Sequence, residues 1–148
     1  MEVIGVDLSP IQPEFVAPNS RFEIDDLEDE WIWLMPFHFI FARGMIESFK
    51  KPQESIRDAF RNLEPNGYLE LQDHAFPLEC DDDTLKNTNL QQWSSYLVDA
   101  GKLAERPITA APQFQHLMEE EGFVDIVVTK KKWPTNDWDP GQEQKELG

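Results

Sequence analysis

An apolar run that ends in an acidic residue opens this sequence and most constrains its fold. Residues 3–6 are Val-Ile-Gly-Val, Asp7 follows them, and Ser9 and Pro10 then end the segment. A run without polar alternation is typical of a buried strand in a parallel sheet. In open α/β sheets the carboxyl ends of such strands face the ligand crevice, where an acid can accept hydrogen bonds from ribose hydroxyls. A buried strand that ends in an ordinary turn gives the same pattern, so these residues alone leave both interpretations open.

Further strands and helices follow in an order typical of α/β proteins. The second strand is predicted at residues 21–24 and ends at Asp25 and Asp26, so it repeats the acidic ending. The remaining predicted elements are strand 37–42, a helix from Pro52, strand 68–73, helix 85–103, a helix from Pro112 to Gly122, and strand 123–128. We therefore predict an α/β fold in which residues 1–148 form a single, partial domain.

Two local patterns give finer predictions. In helix 85–103 an apolar stripe is formed by Leu90, Trp93, Leu97 and Ala100 or Gly101, which is typical of a helix face that packs into a core. Residues 65–67 are predicted to form a tight turn, because Asn66 and Gly67 both accept a positive φ.

The charge balance argues against several classes of partner. The net charge is −16, from 13 Lys and Arg against 29 Asp and Glu, and such a surface repels nucleic-acid phosphates and anionic lipid. No apolar run approaches the roughly 20 residues that span a bilayer. Cys80 is the single cysteine, which excludes an internal disulfide and a multi-cysteine zinc site. We therefore expect no nucleic-acid partner and no membrane partner, and the sequence indicates no metal site.

Several stretches, spread over nearly the whole chain, resemble one family. They are residues 3–13, 22–31, 42–45, 63–72, 122–125 and 145–148, in the family's order. On these stretches the chain resembles class I S-adenosylmethionine-dependent methyltransferases, and within them the fungal LaeA-like, TAM-domain group. The resemblance implies a Rossmann-like sheet with helices on both faces, S-adenosyl-L-methionine as cofactor, and methyl transfer to a small-molecule or protein acceptor. It also implies a role in fungal secondary metabolism, in the cytoplasm or the nucleus.

The resemblance assigns cofactor-binding roles to five residues. It implies that Asp7 holds the ribose hydroxyls and that Leu8 flanks the adenine. Asp26 and Leu27 are expected at the adenine edge, and Arg43 is expected to line the methionine side of the pocket. No catalytic base can be chosen, because Asp73, His74 and Glu47 all lie near predicted strand ends and nothing favours one of them.

The family's glycine-rich loop is missing from the sequence. In nucleotide-binding folds of this kind the acidic residue follows such a loop by about 20 residues, but only six residues precede Asp7. In the family's sheet order, 3-2-1-4-5-7-6, the resemblance then implies that the first and last strands, 1 and 7, are absent. We expect an incomplete sheet, truncated at both ends, with pieces 3-2, 4-5 and 6 separated by gaps. Exposed inner edges of these pieces would favour a protein partner or self-association.

Two alternatives to an active methyltransferase stay open at this stage. The first is a non-catalytic member of the same family, acting as a pseudo-enzyme or as a partner-binding fragment. The second is a nicotinamide-dependent dehydrogenase, since Asp7 suits the ribose of a dinucleotide equally well. The family-specific stretches after Asp25 argue against a dehydrogenase, and such enzymes need the same glycine-rich loop.

Overall fold

The first four predicted strands form, and they associate as two separate parallel pairs. The structure is a computed structural model, described here for residues 2–13 and 15–134. In chain order the elements are β1 (Val3–Asp7), β2 (Ser20–Ile24), β3 (Phe37–Arg43), α1 (Pro52–Arg61), β4 (Leu63–Gln72), α2 (Asn89–Leu103) and α3 (Phe114–Glu121). Single 3₁₀ turns occupy Asp83–Leu85 and Ala111–Gln113. In the described part of the chain, no helix has the length and apolar character needed to cross a membrane.

The two pairs are β1–β2 and β3–β4. Val3 pairs with Ser20 and the register continues to Asp7 and Ile24, while β3 runs parallel to β4. Within the described residues, no ladder joins one pair to the other. This arrangement is a partial Rossmann-like α/β fold, and it confirms the expectation of strand pieces separated by a gap. One edge each of β1 and β3 therefore presents unpaired backbone groups.

Strand β4 begins five residues earlier than predicted and includes the expected turn. Phe37 pairs with Leu63 but Phe39 pairs with Tyr68, so residues 64–67 bulge out of the register. Asn66 has a φ of 66°, a left-handed conformation that asparagine accepts more readily than most residues. A Cβ on Gly67 would lie 2.9 Å from the Glu64 carbonyl oxygen, so glycine is required at that position.

Helix α1 supplies the centre of the core. Pro52 begins it, at a position where a missing backbone N–H costs nothing. Ile56 and Ala59 are each only 4% exposed, and both line the space between α1 and the β3–β4 sheet. Phe60 packs edge-to-face on Phe123, with ring centroids 4.9 Å apart. Ile56, Ala59 and Phe60, spaced three and four residues apart, therefore form the face of α1 that packs.

Helix α2 differs from the prediction in its start and in its buried face. It begins at Asn89, where the Thr88 hydroxyl caps it by accepting a hydrogen bond from the Gln91 amide at 3.2 Å. Leu90 and Trp93 of its apolar stripe are exposed, with Trp93 50% accessible, so the prediction of a core stripe is wrong for these two residues, whereas Gly101 is buried. Ser94 is also buried, and its hydroxyl accepts the Leu78 amide at 2.9 Å. The reason is that this helix packs on neighbouring loops, and not on a sheet.

The strand predicted at residues 123–128 does not form. Asp125 has a φ of 56°, which interrupts an extended backbone, and Val124 and Val127 are more than four-fifths exposed. A short apolar run needs a neighbouring ladder to stay extended, and none of the described strands supplies one. Gly122 nevertheless ends α3 with a φ of 103°, which confirms the predicted cap. The last stretch of the resemblance, residues 145–148, lies outside the described residues.

Candidate functional site

Strand β1 delivers Asp7 to the carboxyl edge of the first pair. Asp7 is the last residue of β1, and its backbone carbonyl accepts the Asp25 amide at 3.2 Å. Its side-chain Oδ1 accepts the Ser9 amide at 2.8 Å, which holds the carboxylate at the strand end. The described residues place no donor on Oδ2, so that atom can accept a hydrogen bond from a ligand.

A tight turn after β2 holds Asp26 at the same edge. The Asp26 amide donates to Oδ1 of Asp25 at 2.9 Å. Oδ1 of Asp26 then accepts the Glu28 amide at 2.9 Å, and its carbonyl accepts the Asp29 amide at 3.0 Å. Because the Asp25 amide also donates a hydrogen bond to the Asp7 carbonyl, Asp7 and Asp26 lie at the same edge of the β1–β2 pair.

The two leucines that follow these acids have different surroundings. Leu8 is 66% exposed, so it offers an open apolar surface beside Asp7. Leu27 is half-buried and lines an apolar pocket. Its carbonyl accepts the indole N–H of Trp31 at 3.1 Å. The two side chains that the resemblance assigned to one adenine therefore differ in exposure, Leu8 being open to solvent and Leu27 half-buried.

Arg43 lies at the carboxyl end of the second pair. It is the last residue of β3, pairs with Gln72 and is exposed. Gly44 follows it with a φ of 67°, and a Cβ built there would meet no atom within 4 Å. No described ion pair or hydrogen bond links the Arg43 side chain to Asp7 or Asp26, because these residues belong to different strand pairs. The end of β3 therefore combines an accessible cation with an uncrowded backbone.

An apolar pocket of about 90 Å³ lies between the β3–β4 sheet and α1, and Asp73 contributes to its wall. Asp73 follows β4 directly, and its Oδ1 accepts the His74 amide at 2.9 Å. Burial raises the pKa of Asp73 above its usual range, while hydrogen bonds from the His74 and Met45 backbones oppose that rise. From the sequence, Asp73 is one of three possible catalytic bases, and none of them is favoured. The feature that points to it is an acid placed one residue beyond an alternating strand.

The raised pKa of Asp73 makes a signed prediction for stability. A carboxyl whose pKa is higher in the native state binds its proton more tightly there, so ionisation destabilises the fold. We therefore compare the free energy of unfolding of Asp73→Asn with that of the unmodified chain. We expect the difference to shift in favour of the variant as pH rises from about 4 through the raised native pKa. Urea unfolding of both chains at pH 4 and pH 7 measures this difference. An advantage for the variant that shrinks with rising pH would contradict it.

A second, open cleft of about 310 Å³ lies where α1 begins and α3 packs beside it. Both of its cations are already paired: Arg57 donates to both carboxylate oxygens of Glu121 at 3.1 and 3.0 Å, and Lys51 Nζ lies 2.9 Å from Glu54 Oε1. The bonds from Arg57 hold the pKa of Glu121 below its usual range. The Arg57–Glu121 pair joins α1 to α3, and we assign this cleft a structural role.

The described residues contain no group of three or more His, Cys, Asp or Glu side chains arranged to hold a metal ion. Comparison with known proteins then identifies the chain. Residues 1–128 match a family profile described as a methyltransferase domain. The chain belongs to the methyltransferase-domain family.

Relatives of this methyltransferase domain come from fungi. It is 33% identical to the methyltransferase pytC of Aspergillus terreus over 99% of the present chain and 45% of that protein. It is 32% identical to the probable methyltransferase tdiE of Emericella nidulans, over 99% of this chain and 46% of the relative. It is 34% identical to the secondary metabolism regulator LAE1 of Cochliobolus heterostrophus, over 99% and 49% respectively.

The methyltransferase domain described here thus spans a little under half the length of these curated relatives. No solved structure matches it. The family match accords with the resemblance drawn from the sequence, including its link to fungal secondary metabolism.

Proposed function

We propose that this chain takes part in S-adenosylmethionine-dependent methyl transfer to a small-molecule or protein acceptor, in the cytoplasm or nucleus of a fungal cell. Its own contribution is the nucleoside-binding part of the cofactor site. The observation that carries this proposal is the placement of Asp7 and Asp26 at one carboxyl edge of β1–β2. There the Asp25 amide donates a hydrogen bond to the Asp7 carbonyl, and the Asp26 amide donates to Oδ1 of Asp25. Relatives named as methyltransferases and as secondary metabolism regulators support the wider role.

Each residue at this edge suits one part of a nucleoside. Oδ2 of Asp7 would accept the ribose hydroxyl hydrogens, while the Ser9 amide keeps the other oxygen in place. The exposed Leu8 side chain would cover one face of the adenine. Asp26 would accept from the exocyclic amine, and Leu27 would close the apolar edge behind it. These groups therefore fit the adenosine half of the cofactor.

The amino-acid half of the cofactor has a weaker match in this chain. Arg43 would pair with the methionine carboxylate, which the guanidinium can bind through two hydrogen bonds. Gly44 beside it leaves room for a close approach. Four of the five residues assigned to the cofactor lie on the adenosine side, so we expect most of the binding free energy from this chain to come from the nucleoside.

S-adenosylmethionine, when bound, supplies an electrophilic methyl group on a sulfonium. The protein's task in such an in-line displacement is to hold donor and acceptor in position and to exclude water. In this chain Asp7 and Asp26 would fix the adenosine, and Arg43 would orient the opposite end.

Titration calorimetry of the folded chain with S-adenosylmethionine and with adenosine tests the proposal. We expect both to bind, with affinities within about tenfold of each other, because this chain contacts mainly the shared nucleoside. Circular dichroism establishes folding in the same sample. A folded chain that binds neither ligand would overturn the proposal.

A non-catalytic, partner-binding role is the second candidate, and one structural observation favours it. The free edges of β1 and β3 offer ladder hydrogen bonds to another strand. In that case the chain would associate with itself or with a protein partner and would not bind nucleoside. Light scattering over a range of concentrations, run beside the calorimetry, separates the two candidates.

A further inference from the structure

The pocket under Asp73 combines an apolar, partly aromatic wall with a single charge. Trp31, Phe49 and Phe114 contribute aromatic surface, and the strand residues Ile40 and Leu71 contribute aliphatic surface. Asp73 is the one ionisable residue among the described residues that line it. Such a combination is unfavourable for a neutral apolar ligand alone, because the carboxylate must be desolvated without a partner.

We propose that this pocket binds a small alkylammonium group, with the Asp73 carboxylate as its counter-ion. A cationic nitrogen satisfies the carboxylate by a charge-assisted hydrogen bond. The aromatic rings Trp31 and Phe49 favour a cation over a neutral group of the same size. The net charge of −16 adds a long-range attraction for cations.

The volume of the pocket limits the ligand further. A dry cavity of about 150 Å³ holds benzene, and this pocket encloses about 90 Å³. The space therefore suits a short branched or linear alkyl chain, and a bulky aromatic amine would not fit. The inference rests on the proposed function in one respect: if the chain takes part in methyl transfer, the bound amine would belong to the methyl acceptor.

The position of the pocket agrees with this role. Asp73 follows β4 and Ala42 lies near the end of β3, so the pocket opens beside the carboxyl ends of the second strand pair. Hydrogen bonds from the His74 and Met45 backbones hold the carboxylate in place. These bonds occupy the carboxylate only in part, because a carboxylate offers about four acceptor positions.

The test measures binding of isobutylamine and of its neutral analogue isobutanol to the full chain by NMR titration at pH 7. We expect isobutylamine to bind at least about tenfold more tightly than isobutanol, and Asp73→Asn to remove that preference. Glu70→Gln is the matched control, since Glu70 is exposed on the opposite face of the same strand. It makes the same change in net charge and should leave the preference intact.

Three outcomes decide the inference. Loss of the preference in Asp73→Asn alone, with unchanged circular dichroism, supports it. An equal loss in Glu70→Gln overturns it, because general attraction to an acidic protein would then explain the binding. Equal binding of amine and alcohol by the unmodified chain also overturns it. Since no cofactor is present in this experiment, its failure leaves the nucleoside titration to judge the proposed function separately.

Discussion

Asp7→Asn is expected to weaken the binding of adenosine and S-adenosylmethionine about 10- to 100-fold. A hydrogen bond to a charged group contributes about 1.5–3 kcal/mol, and 1.4 kcal/mol corresponds to a factor of ten. The asparagine keeps an oxygen that can accept the Ser9 amide, so the turn after β1 should survive. What it loses is the charged acceptor that we assign to the ribose. Calorimetry with each ligand measures the change directly.

Asp83→Asn is the matched control for this substitution. Asp83 is exposed and lies in the 3₁₀ turn that follows β4 in the chain, so its replacement removes the same charge elsewhere. We expect it to alter nucleoside affinity by less than about threefold. A comparable loss in both variants would show that overall charge, and not the position of Asp7, governs binding.

Ile56→Ala is expected to lower the free energy of unfolding by about 2–5 kcal/mol. Ile56 is 4% exposed and lies in the middle of α1, where it borders the pocket between the helix and the β3–β4 sheet. Truncation would remove buried methyl groups and enlarge a space that already exists, so both the transfer and the cavity contributions are unfavourable. Domain stability is only about 5–15 kcal/mol, which makes this a severe loss.

The milder Ile56→Val is the companion to that variant. It removes one methylene from the same site and should cost about 0.5–1.5 kcal/mol. Urea unfolding of both variants, followed by circular dichroism, gives the two values. Two small and similar losses would mean that α1 is not the centre of the core.

Strand order and acidic strand endings could be predicted because they depend on local sequence. Runs such as residues 3–6 and 37–42 carry few polar positions, and a following Asp or Arg marks where each strand leaves the sheet. The two separate pairs agree with the gap that the resemblance implied between pieces 3-2 and 4-5 of the sheet. Pro52 and Gly122 fixed helix ends through their backbone preferences.

The two wrong predictions concern segments whose structure depends on contacts with distant parts of the chain. Residues 123–128 have the composition of a strand, yet they find no described ladder partner and Asp125 adopts a left-handed conformation. The stripe at Trp93 has helical spacing, but the surface against which α2 packs is a loop that contacts Ser94. Neither partner surface can be seen in the local pattern.

The positions of the candidate site residues could be predicted only where they depend on local sequence. Asp7 and Asp26 each end a strand or follow one, and parallel pairing brings them together. Leu27 and Asp73 could not be placed from spacing, because the pocket that they share is formed by the β3–β4 sheet, α1, the start of α3 and several loops. A site enclosed by several distant segments leaves little trace in any single stretch of sequence.

The proposed role of Asp7 in recognising a ribose can be tested with a pair of nucleosides. Adenosine and 2′,3′-dideoxyadenosine are titrated against the unmodified chain and against Asp7→Asn. We expect the unmodified chain to prefer adenosine about 10- to 100-fold and the variant to show a preference below about threefold. An unmodified chain that binds both nucleosides equally, or a variant that keeps the full preference, would contradict the assignment of Asp7 to the ribose.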